Sequence, residues 1–197
     1  MEYTGVYTSP LGELLLACGD SGLTGVWFVG GKFFARGLDP DHEERETPVL
    51  ACAKRWLDIY FSGWEPDFMP PLRPSGTDFQ RRVWALLGEI PYGRTATYRD
   101  LAEKIAAAQG LERMSAQAVG GAVGRNPISI LIPCHRVVGA DGGLTGYAGG
   151  LDRKAALLAR EGVEPGRLVR AAGQARSRKK VSSFSSNSRC QTADIIV

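Results

Sequence analysis

The sequence predicts an α/β first domain, a small sheet with one helix, followed by a mainly α-helical second domain that contains a helix-turn-helix. Short apolar segments separated by glycine- and proline-containing turns occupy the first 30 residues. Four prolines between Pro66 and Pro74 indicate a linker, after which apolar residues recur with helical spacing. We therefore expect a first domain with its linker over residues 1–72, a second domain over 73–172 and a disordered, basic, serine-rich tail over 173–197.

The first domain is expected to begin as three antiparallel strands. Its segments alternate or run apolar over strand-like lengths, and turn residues separate them. A charged stretch then predicts a loop, and a helix with one apolar face follows. The predicted elements are strands over 3–8, 13–17 and 23–29, a loop over 37–47, and a helix over 49–61 whose buried face holds Leu50, Ala53, Trp56, Leu57 and Tyr60.

The second domain begins with a helix that Thr77 or Asp78 can cap. Two short helices joined by a tight connection come next, and they have the outline of a helix-turn-helix. A β-like apolar run and a last amphipathic helix, stopped by Gly162, complete the domain. The predicted elements are a helix with Phe79, Val83, Leu86 and Leu87 on one face, helices over 98–107 and 115–123, a strand over 128–132 and a helix over 151–161.

Charge is unevenly distributed along the chain. Residues 1–72 carry 5 basic and 11 acidic side chains, residues 73–172 carry 14 and 9, and residues 173–197 carry 5 and 1. A polyanion is therefore attracted to the second domain and the tail rather than to the first domain. A chance scatter of solvated charges explains the same counts equally well, so only sequence motifs can distinguish a polyanion-binding domain from chance.

The four cysteines lie far apart, without a Cys-x-x-Cys pair, and the chain has two histidines. This spacing is not typical of a metal site, so we expect no metal and no cofactor. No stretch reaches the length of a membrane span, and no signal peptide is evident. We therefore expect a protein of a reducing compartment, cytoplasmic or, in a eukaryote, nuclear.

The third helix of the second domain is nearly free of bulky side chains. Its sequence from Gln117 to Gly124 contains three glycines, each of which costs a helix interior about 1 kcal/mol. Two explanations stay open, close packing of another helix or close approach of a ligand to the backbone. Such a helix could lie in the minor groove of a duplex without recognising the base sequence, and Arg125 could then contact a phosphate.

Pro133-Cys134-His135-Arg136 places a thiol next to an imidazole. Because the thiolate is the nucleophile and free cysteine is mostly protonated near neutral pH, a neighbouring base would activate it. Side chains adjacent in sequence usually point apart, so a bridging water is more plausible than a direct bond. An isolated cysteine is more often a small buried hydrophobe, and the pattern alone leaves that alternative open.

Several ordered motifs together resemble those of the O6-alkylguanine-DNA alkyltransferases, the methylated-DNA–protein-cysteine methyltransferases. The likeness covers about residues 3–172 and is densest in the second half. Several motifs at compatible spacing are far more specific than one short motif. They are Ile-Pro-Cys-His-Arg-Val-Val at 132–138, Gly-Tyr-Ala-Gly-Gly at 146–150, Ala-Val-Gly-Gly-Ala at 118–122, Asn126-Pro127, Pro91-Tyr92-Gly93 and Thr97-Tyr98.

The resemblance implies roles for individual residues. Cys134 corresponds to the alkyl acceptor, His135 to the base that acts through a water, and Glu161 to the carboxylate that orients the histidine. Tyr98 corresponds to the tyrosine that helps rotate the nucleotide out and donates to the departing base, and Asn126 to the asparagine that braces the turn. The implied base pocket holds Val123, Val137, Tyr147 and Ala148, and the implied DNA contacts are Arg94, Thr95, Gln117, Ala118, Gly120, Gly121 and Arg125.

The resemblance also implies a function, which is repair of duplex DNA carrying alkylated bases by a monomer that reacts once. Gln117 departs from the family pattern, because better-known members carry an arginine there that fills the gap left by the extruded base. The first half also lacks the zinc-binding cysteines and histidines of some members. Two alternatives stay open, a non-catalytic lesion sensor or helix-turn-helix regulator, and a cysteine hydrolase that uses Cys134, His135 and Glu161.

Overall fold

A computed structural model describes residues 1–163, so the predicted tail over 173–197 lies outside the described residues. The chain opens with a four-stranded sheet in the order β3-β2-β1-β4. Strands β1 to β3 form consecutive antiparallel hairpins, whereas β4 runs parallel to β1. The strands are β1 (Glu2–Ser9), β2 (Gly12–Gly19), β3 (Gly22–Phe28) and β4 (His42–Glu44). The three predicted strands are confirmed.

Helix α1 (Pro48–Phe61) covers one face of this sheet. The Thr47 side chain caps it by accepting a hydrogen bond from the Leu50 amide, and Pro48 opens its first turn, where no amide donor is needed. The predicted face is confirmed, because its members are buried in the core against β2 and β3.

The expected loop over residues 37–47 is wrong for His42–Glu44, which pairs with β1 as β4. All three side chains of β4 are exposed. Its pairing therefore rests on backbone hydrogen bonds at a sheet edge. Because its residues do not alternate between apolar and polar, the sequence pattern could not predict this strand.

The far edge of the sheet joins the two halves of the chain. The Leu23 amide donates to the Pro71 carbonyl at 2.7 Å, and the Arg73 amide donates back to the Leu23 carbonyl at the same distance. Further along β3, the Val26 amide donates to the Pro127 carbonyl at 2.9 Å. The linker and part of the second half thus cover the edge of β3, and one hydrophobic core runs through both halves.

Residues 73–163 contain four α-helices, α2 (Asp78–Gly88), α3 (Tyr98–Ala108), α4 (Ala116–Val123) and α5 (Leu151–Arg160). All four predicted helices are confirmed to within a residue or two. Thr77 and Thr97 each form a reciprocal capping box with the residue three positions on, and Ser115 caps α4. No helix within residues 1–163 is long and apolar enough to cross a membrane.

The predicted strand over residues 128–132 is wrong. This segment is a buried turn with one isolated bridge, between Ile128 and Val26, and Ile130 has a φ of 72°. Its isoleucines and Leu131 are buried, so they contribute to the core without belonging to a sheet. A short apolar run reports burial but not the backbone conformation that produces it.

Candidate active site

Cys134 begins a short 3₁₀ turn, Cys134–Arg136, which continues into the two-residue strand β6 (Val137–Val138). Strand β6 pairs in parallel with β5 (Ala96–Thr97), with Ala96 opposite Val137. Because Thr97 also caps α3, this pairing fixes where α3 begins, at Tyr98. The thiol itself is 5% exposed.

The Asn126 side chain braces this turn. Its amide nitrogen lies 2.9 Å from the Ile132 carbonyl, 3.1 Å from the Ile128 carbonyl and 3.1 Å from Sγ of Cys134. Its oxygen accepts from the Ile128 amide at 3.0 Å. One side chain therefore fixes the turn and donates toward the sulfur.

Burial raises the pKa of the Cys134 thiol above its usual value. Asn126, the positive charge of Lys154 and the backbone amides of Cys134 and His135 oppose this shift, but they do not cancel it. The resting thiol is thus protonated near neutral pH. Forming a nucleophile requires a base within reach.

His135 is fully buried, and its Nε2 lies 2.7 Å from Oε1 of Glu161. Burial raises the pKa of this carboxyl, but the hydrogen bond and charge of His135 and the charge of Arg136 outweigh it and bring the pKa down to about 2. Glu161 is therefore ionised and can only accept. It follows that Nε2 of His135 carries a proton and donates it.

The second ring nitrogen of His135 is then the unprotonated one. Burial lowers the pKa of His135 below its usual value, against the opposing effect of Glu161, so the ring is neutral at pH 7. Nδ1 is buried and has no hydrogen-bond partner among residues 1–163. Its lone pair is available, which is the state that a general base requires.

Arg136 also supports Glu161, although the motif that contains it did not predict a role for it. Its Nε donates to Oε2 of Glu161 at 2.9 Å, and its Nη1 donates to the Ile90 carbonyl at 2.6 Å. The Gly93 amide adds a hydrogen bond to Oε2 at 3.1 Å. Gly93 has a φ of 70°, and a Cβ there would lie 2.8 Å from the Glu161 carbonyl oxygen, so this contact needs glycine.

Lys154 is a second charged group that the sequence analysis missed. It is fully buried, and its Nζ donates to the carbonyls of Val137 at 2.5 Å and Thr145 at 2.6 Å. Burial lowers its pKa to about 8. A signal was present, because Lys154 shares one face of α5 with Leu157, Leu158 and Glu161.

The Tyr98 hydroxyl donates to the carbonyls of Thr145 at 3.2 Å and Gly146 at 3.4 Å, so the loop before α5 occupies it in this structure. Burial raises the pKa of Tyr98, the hydrogen bond to Thr145 opposes that shift, and the charge that Cys134 would carry on ionising adds to it. Burial also raises the pKa of Tyr147. Both phenols are therefore protonated near neutral pH.

The other predicted pocket residues lie around the same region. Val123 and Val137 are buried, and Ala148 is half-buried. The Ala148 carbonyl accepts a hydrogen bond from the Lys32 amide at 2.8 Å, which ties the first half to the pocket wall. A Cβ at Gly149 would lie 2.7 Å from the Tyr147 ring and 2.9 Å from the Phe28 ring, so a side chain at this position would displace the aromatic rings.

The two faces of helix α4, which is rich in glycine and alanine, have different surroundings in the structure. Its inner face, which includes Ala122, packs against α2, where the Trp84 indole donates to the Ala122 carbonyl at 2.9 Å. Its outer face is exposed at Gln117 and Ala118, and Gly120 lies against the Tyr98 ring. Small side chains therefore serve close packing on one face and leave the other face open.

The three other predicted DNA contacts are Arg94, Thr95 and Arg125. The exposed Arg125 guanidinium donates to the Gly121 carbonyl at 2.9 Å, at the end of α4. Arg94 is exposed, and Thr95 is half-buried just before β5.

In the part of the chain that the structure describes, no cluster of three or more His, Cys, Asp or Glu side chains could hold a metal ion.

Two family models together match nearly all of the described chain. Residues 3–74 match the 6-O-methylguanine DNA methyltransferase ribonuclease-like domain, and residues 78–163 match the DNA binding domain of the same family. A methylated-DNA–protein-cysteine methyltransferase of Methanosarcina acetivorans is 44% identical over 81% of this chain and 98% of its own length. A protein of the same name from Mycolicibacterium paratuberculosis is 45% identical over 82% and 92%.

Solved structures agree with these matches. The crystal structure of Mycobacterium tuberculosis OGT in complex with DNA superposes with a TM-score of 0.69 at 40% identity, covering 84% of this chain and 95% of that one. The structure of the O6-methylguanine methyltransferase from the same organism superposes with a TM-score of 0.67 at 39% identity, over 85% and 98%.

Proposed function

The chain belongs to the 6-O-methylguanine DNA methyltransferase family, and on that premise we propose that it repairs DNA by moving the O6-alkyl group of a guanine onto its own Cys134. One observation carries the assignment of the acceptor. The buried thiol receives a hydrogen bond from Asn126 and opens a turn whose next residue, His135, has its Nε2 hydrogen-bonded to Glu161. This arrangement leaves a lone pair on the other ring nitrogen.

Recognition comes first. The alkylated oxygen lies inside the base stack of a duplex, so the base has to be rotated out at a cost of a few kcal/mol. The open face of α4, together with Arg94, Thr95 and Arg125, is suited to the DNA backbone, because it offers little bulk and two exposed guanidinium groups. Gln117 would enter the space that the base leaves, as an uncharged hydrogen-bonding side chain.

Activation of the thiol follows. Nδ1 of His135 takes the Cys134 proton through a water molecule, and the ring becomes an imidazolium. The ionised Glu161, already hydrogen-bonded to Nε2, stabilises that charge. Lys154 and Asn126 stabilise the thiolate that forms.

The transfer itself is one displacement. The Cys134 thiolate forms a bond to the alkyl carbon while the bond from that carbon to O6 breaks, and the electron pair stays on guanine. Tyr98 would donate a proton to the departing base once its hydroxyl leaves the carbonyls of Thr145 and Gly146. The product is a thioether, so each molecule reacts once and needs no cofactor.

The proposed partner is therefore double-stranded DNA that carries an alkylated base, and we propose that the chain acts on it as a monomer. O4-alkylthymine is a second candidate substrate, because it presents the same alkyl–oxygen bond. The base pocket formed by Val123, Val137, Tyr147 and Ala148 is the part that would discriminate between the two.

Peptide mapping after incubation with a duplex that contains O6-methylguanine tests this proposal. One methyl group on the Cys134 peptide, and none on the same peptide of Cys134→Ser, supports it. A methyl group on another residue would overturn the assignment of the acceptor. Reversible binding with no mass gain would indicate a lesion sensor, and free product in excess of protein would indicate a cysteine hydrolase.

A further inference from the structure

Tyr60 brings a first-domain side chain into the catalytic cluster. It lies on α1, is fully buried, and donates from its hydroxyl to Oε1 of Glu161 at 2.9 Å. The same hydroxyl lies 3.5 Å from Nε2 of His135. Of the two atoms it faces, the carboxylate oxygen is the one at hydrogen-bonding distance and carries the negative charge.

The ring of Tyr60 is held from several sides. It stacks on Trp56 at a centroid distance of 5.4 Å and an interplanar angle of 9°, and Phe61, Tyr92 and His135 meet it edge to face. Packing therefore fixes where the hydroxyl points. Burial raises the pKa of this phenol far above its ordinary value, with Glu161 adding to the effect, so the group stays a neutral donor.

Within residues 1–163, Glu161 receives five hydrogen bonds. Oε1 accepts from His135 Nε2, Tyr60 and Arg136 Nη2, while Oε2 accepts from Arg136 Nε and the Gly93 amide. Four of these come from the second domain, and Tyr60 alone supplies the fifth from the first domain. It shares its acceptor atom with the catalytic imidazole.

We propose that Tyr60 is a positioning residue for alkyl transfer: its hydroxyl fixes Oε1 of Glu161 against Nε2 of His135, and through it the first domain takes part in activating the Cys134 thiol. This inference rests on the proposed function. It gives α1 of the first domain a role in positioning the catalytic groups, in addition to its packing on the second domain.

Removing the hydroxyl has a defined electrostatic consequence. Oε1 would keep two donors instead of three, so more of its negative charge would face His135 and stabilise the imidazolium. The other groups around the ring, Arg136, Lys154 and Cys134, would be unchanged. His135 would then lose its proton at a higher pH, and the rate of transfer, which needs an unprotonated Nδ1, would rise with pH later than in the wild type.

The test is the pH dependence of methyl transfer by the full chain and by Tyr60→Phe, which keeps the ring and its packing. We expect the acid limb of the profile to move up by about one pH unit, the size of one hydrogen bond to a charged group, so that the rate at the acid end falls about tenfold. Tyr7→Phe is the matched control, because it removes a hydroxyl that donates to the exposed Asp58 of the same helix. Its profile should coincide with the wild type.

An unmoved acid limb in Tyr60→Phe would overturn the inference. So would a rate that falls equally at every pH together with a lower unfolding midpoint, because that result indicates packing alone. Alkylation of Cys134 by iodoacetamide, followed by peptide mapping over the same pH range, needs no DNA. A profile that shifts with iodoacetamide while neither protein accepts a methyl group would place the failure in the proposed function.

Discussion

The buried cluster around Cys134 and the open face of α4 differ in how they are built. In the cluster, each charged side chain is held by several hydrogen bonds, and burial together with neighbouring charges fixes its protonation state. On α4, small side chains and glycines leave the helix backbone close to the surface. Alkyl transfer therefore depends on individual atoms in a preorganised network, whereas DNA recognition depends on the shape of the helix surface. A change of one atom in the cluster should therefore strongly reduce methyl transfer, whereas a substitution on α4 should change duplex affinity only slightly.

The largest effect is expected from Cys134→Ser. The serine hydroxyl is a far weaker nucleophile than a thiolate, so methyl transfer should be abolished. The sulfur is buried and does not form the outer face of α4, so affinity for a methylated duplex should stay within about twofold of the wild type, as a nearly isosteric change predicts. Intact-mass measurement and a gel-shift titration check the two halves of this prediction.

Methyl transfer by Cys134→Ser would show that another residue accepts the methyl group. A large loss of DNA affinity in the same variant would show that the cluster and the recognition face are not separable.

Glu161→Gln should rank second. The amide leaves the buried Arg136 without a counter-charge, which costs about 3–5 kcal/mol of unfolding free energy. It also no longer fixes the tautomer of His135, so transfer should slow by at least about 100-fold. Urea unfolding and single-turnover rates measure both effects. A variant as stable and as fast as the wild type would contradict the assigned network.

The same carboxylate predicts how stability depends on pH. Its folded pKa of about 2 lies below the ordinary value of 4.5, so the stabilisation is fully present above pH 4.5 and is lost as the pH falls toward 2. The difference corresponds to about 3 kcal/mol. In urea titrations over this acid range, Glu161→Gln should lose this part of the wild-type slope, while Glu46→Gln, at an exposed ion pair, should keep it.

Asn126→Ala should have an intermediate effect. It leaves the carbonyls of Ile128 and Ile132 without this donor and removes the hydrogen bond to Sγ, so stability should fall by about 1–3 kcal/mol. The thiol pKa should rise, because Asn126 opposes the effect of burial. Iodoacetamide alkylation of Cys134 against pH reports that shift, and an unchanged profile would show that Asn126 braces the turn without acting on the sulfur.

The smallest effect is expected on the recognition face. Gln117→Arg adds a charge to the exposed end of α4, so duplex affinity should rise a few-fold at low salt, and the salt dependence should steepen by about 0.9 in the logarithmic slope. Ala51→Arg adds the same charge to the exposed side of α1 and is the control. An equal gain from both variants would indicate long-range attraction rather than contact through α4.

The sequence predicted the elements whose signals are local. Thr77, Thr97 and Ser115 stand at helix starts, and apolar spacing places the inner faces of α1 and α2. The motif around Cys134, His135 and Asn126 identified side chains that the structure brings together.

What could not be predicted depends on contacts between distant segments. Strand β4 forms through backbone pairing with β1, and residues 128–132 turn because Asn126 satisfies their backbone groups. Tyr60 looks like any core tyrosine of α1 until the fold brings it to Glu161, which is 101 positions away in the chain. Lys154 was detectable, because a lysine on an apolar helix face needs buried acceptors.

Transfer to Cys134 predicts that each protein molecule accepts one methyl group and no more, which a measurement of repaired guanine per protein molecule can check. With a methylated duplex in large excess, repaired guanine should appear in a burst equal to the protein concentration and then stop, with the protein recovered as the methylated form. Repair that continues past one equivalent, or a burst that leaves the protein mass unchanged, would contradict transfer to Cys134.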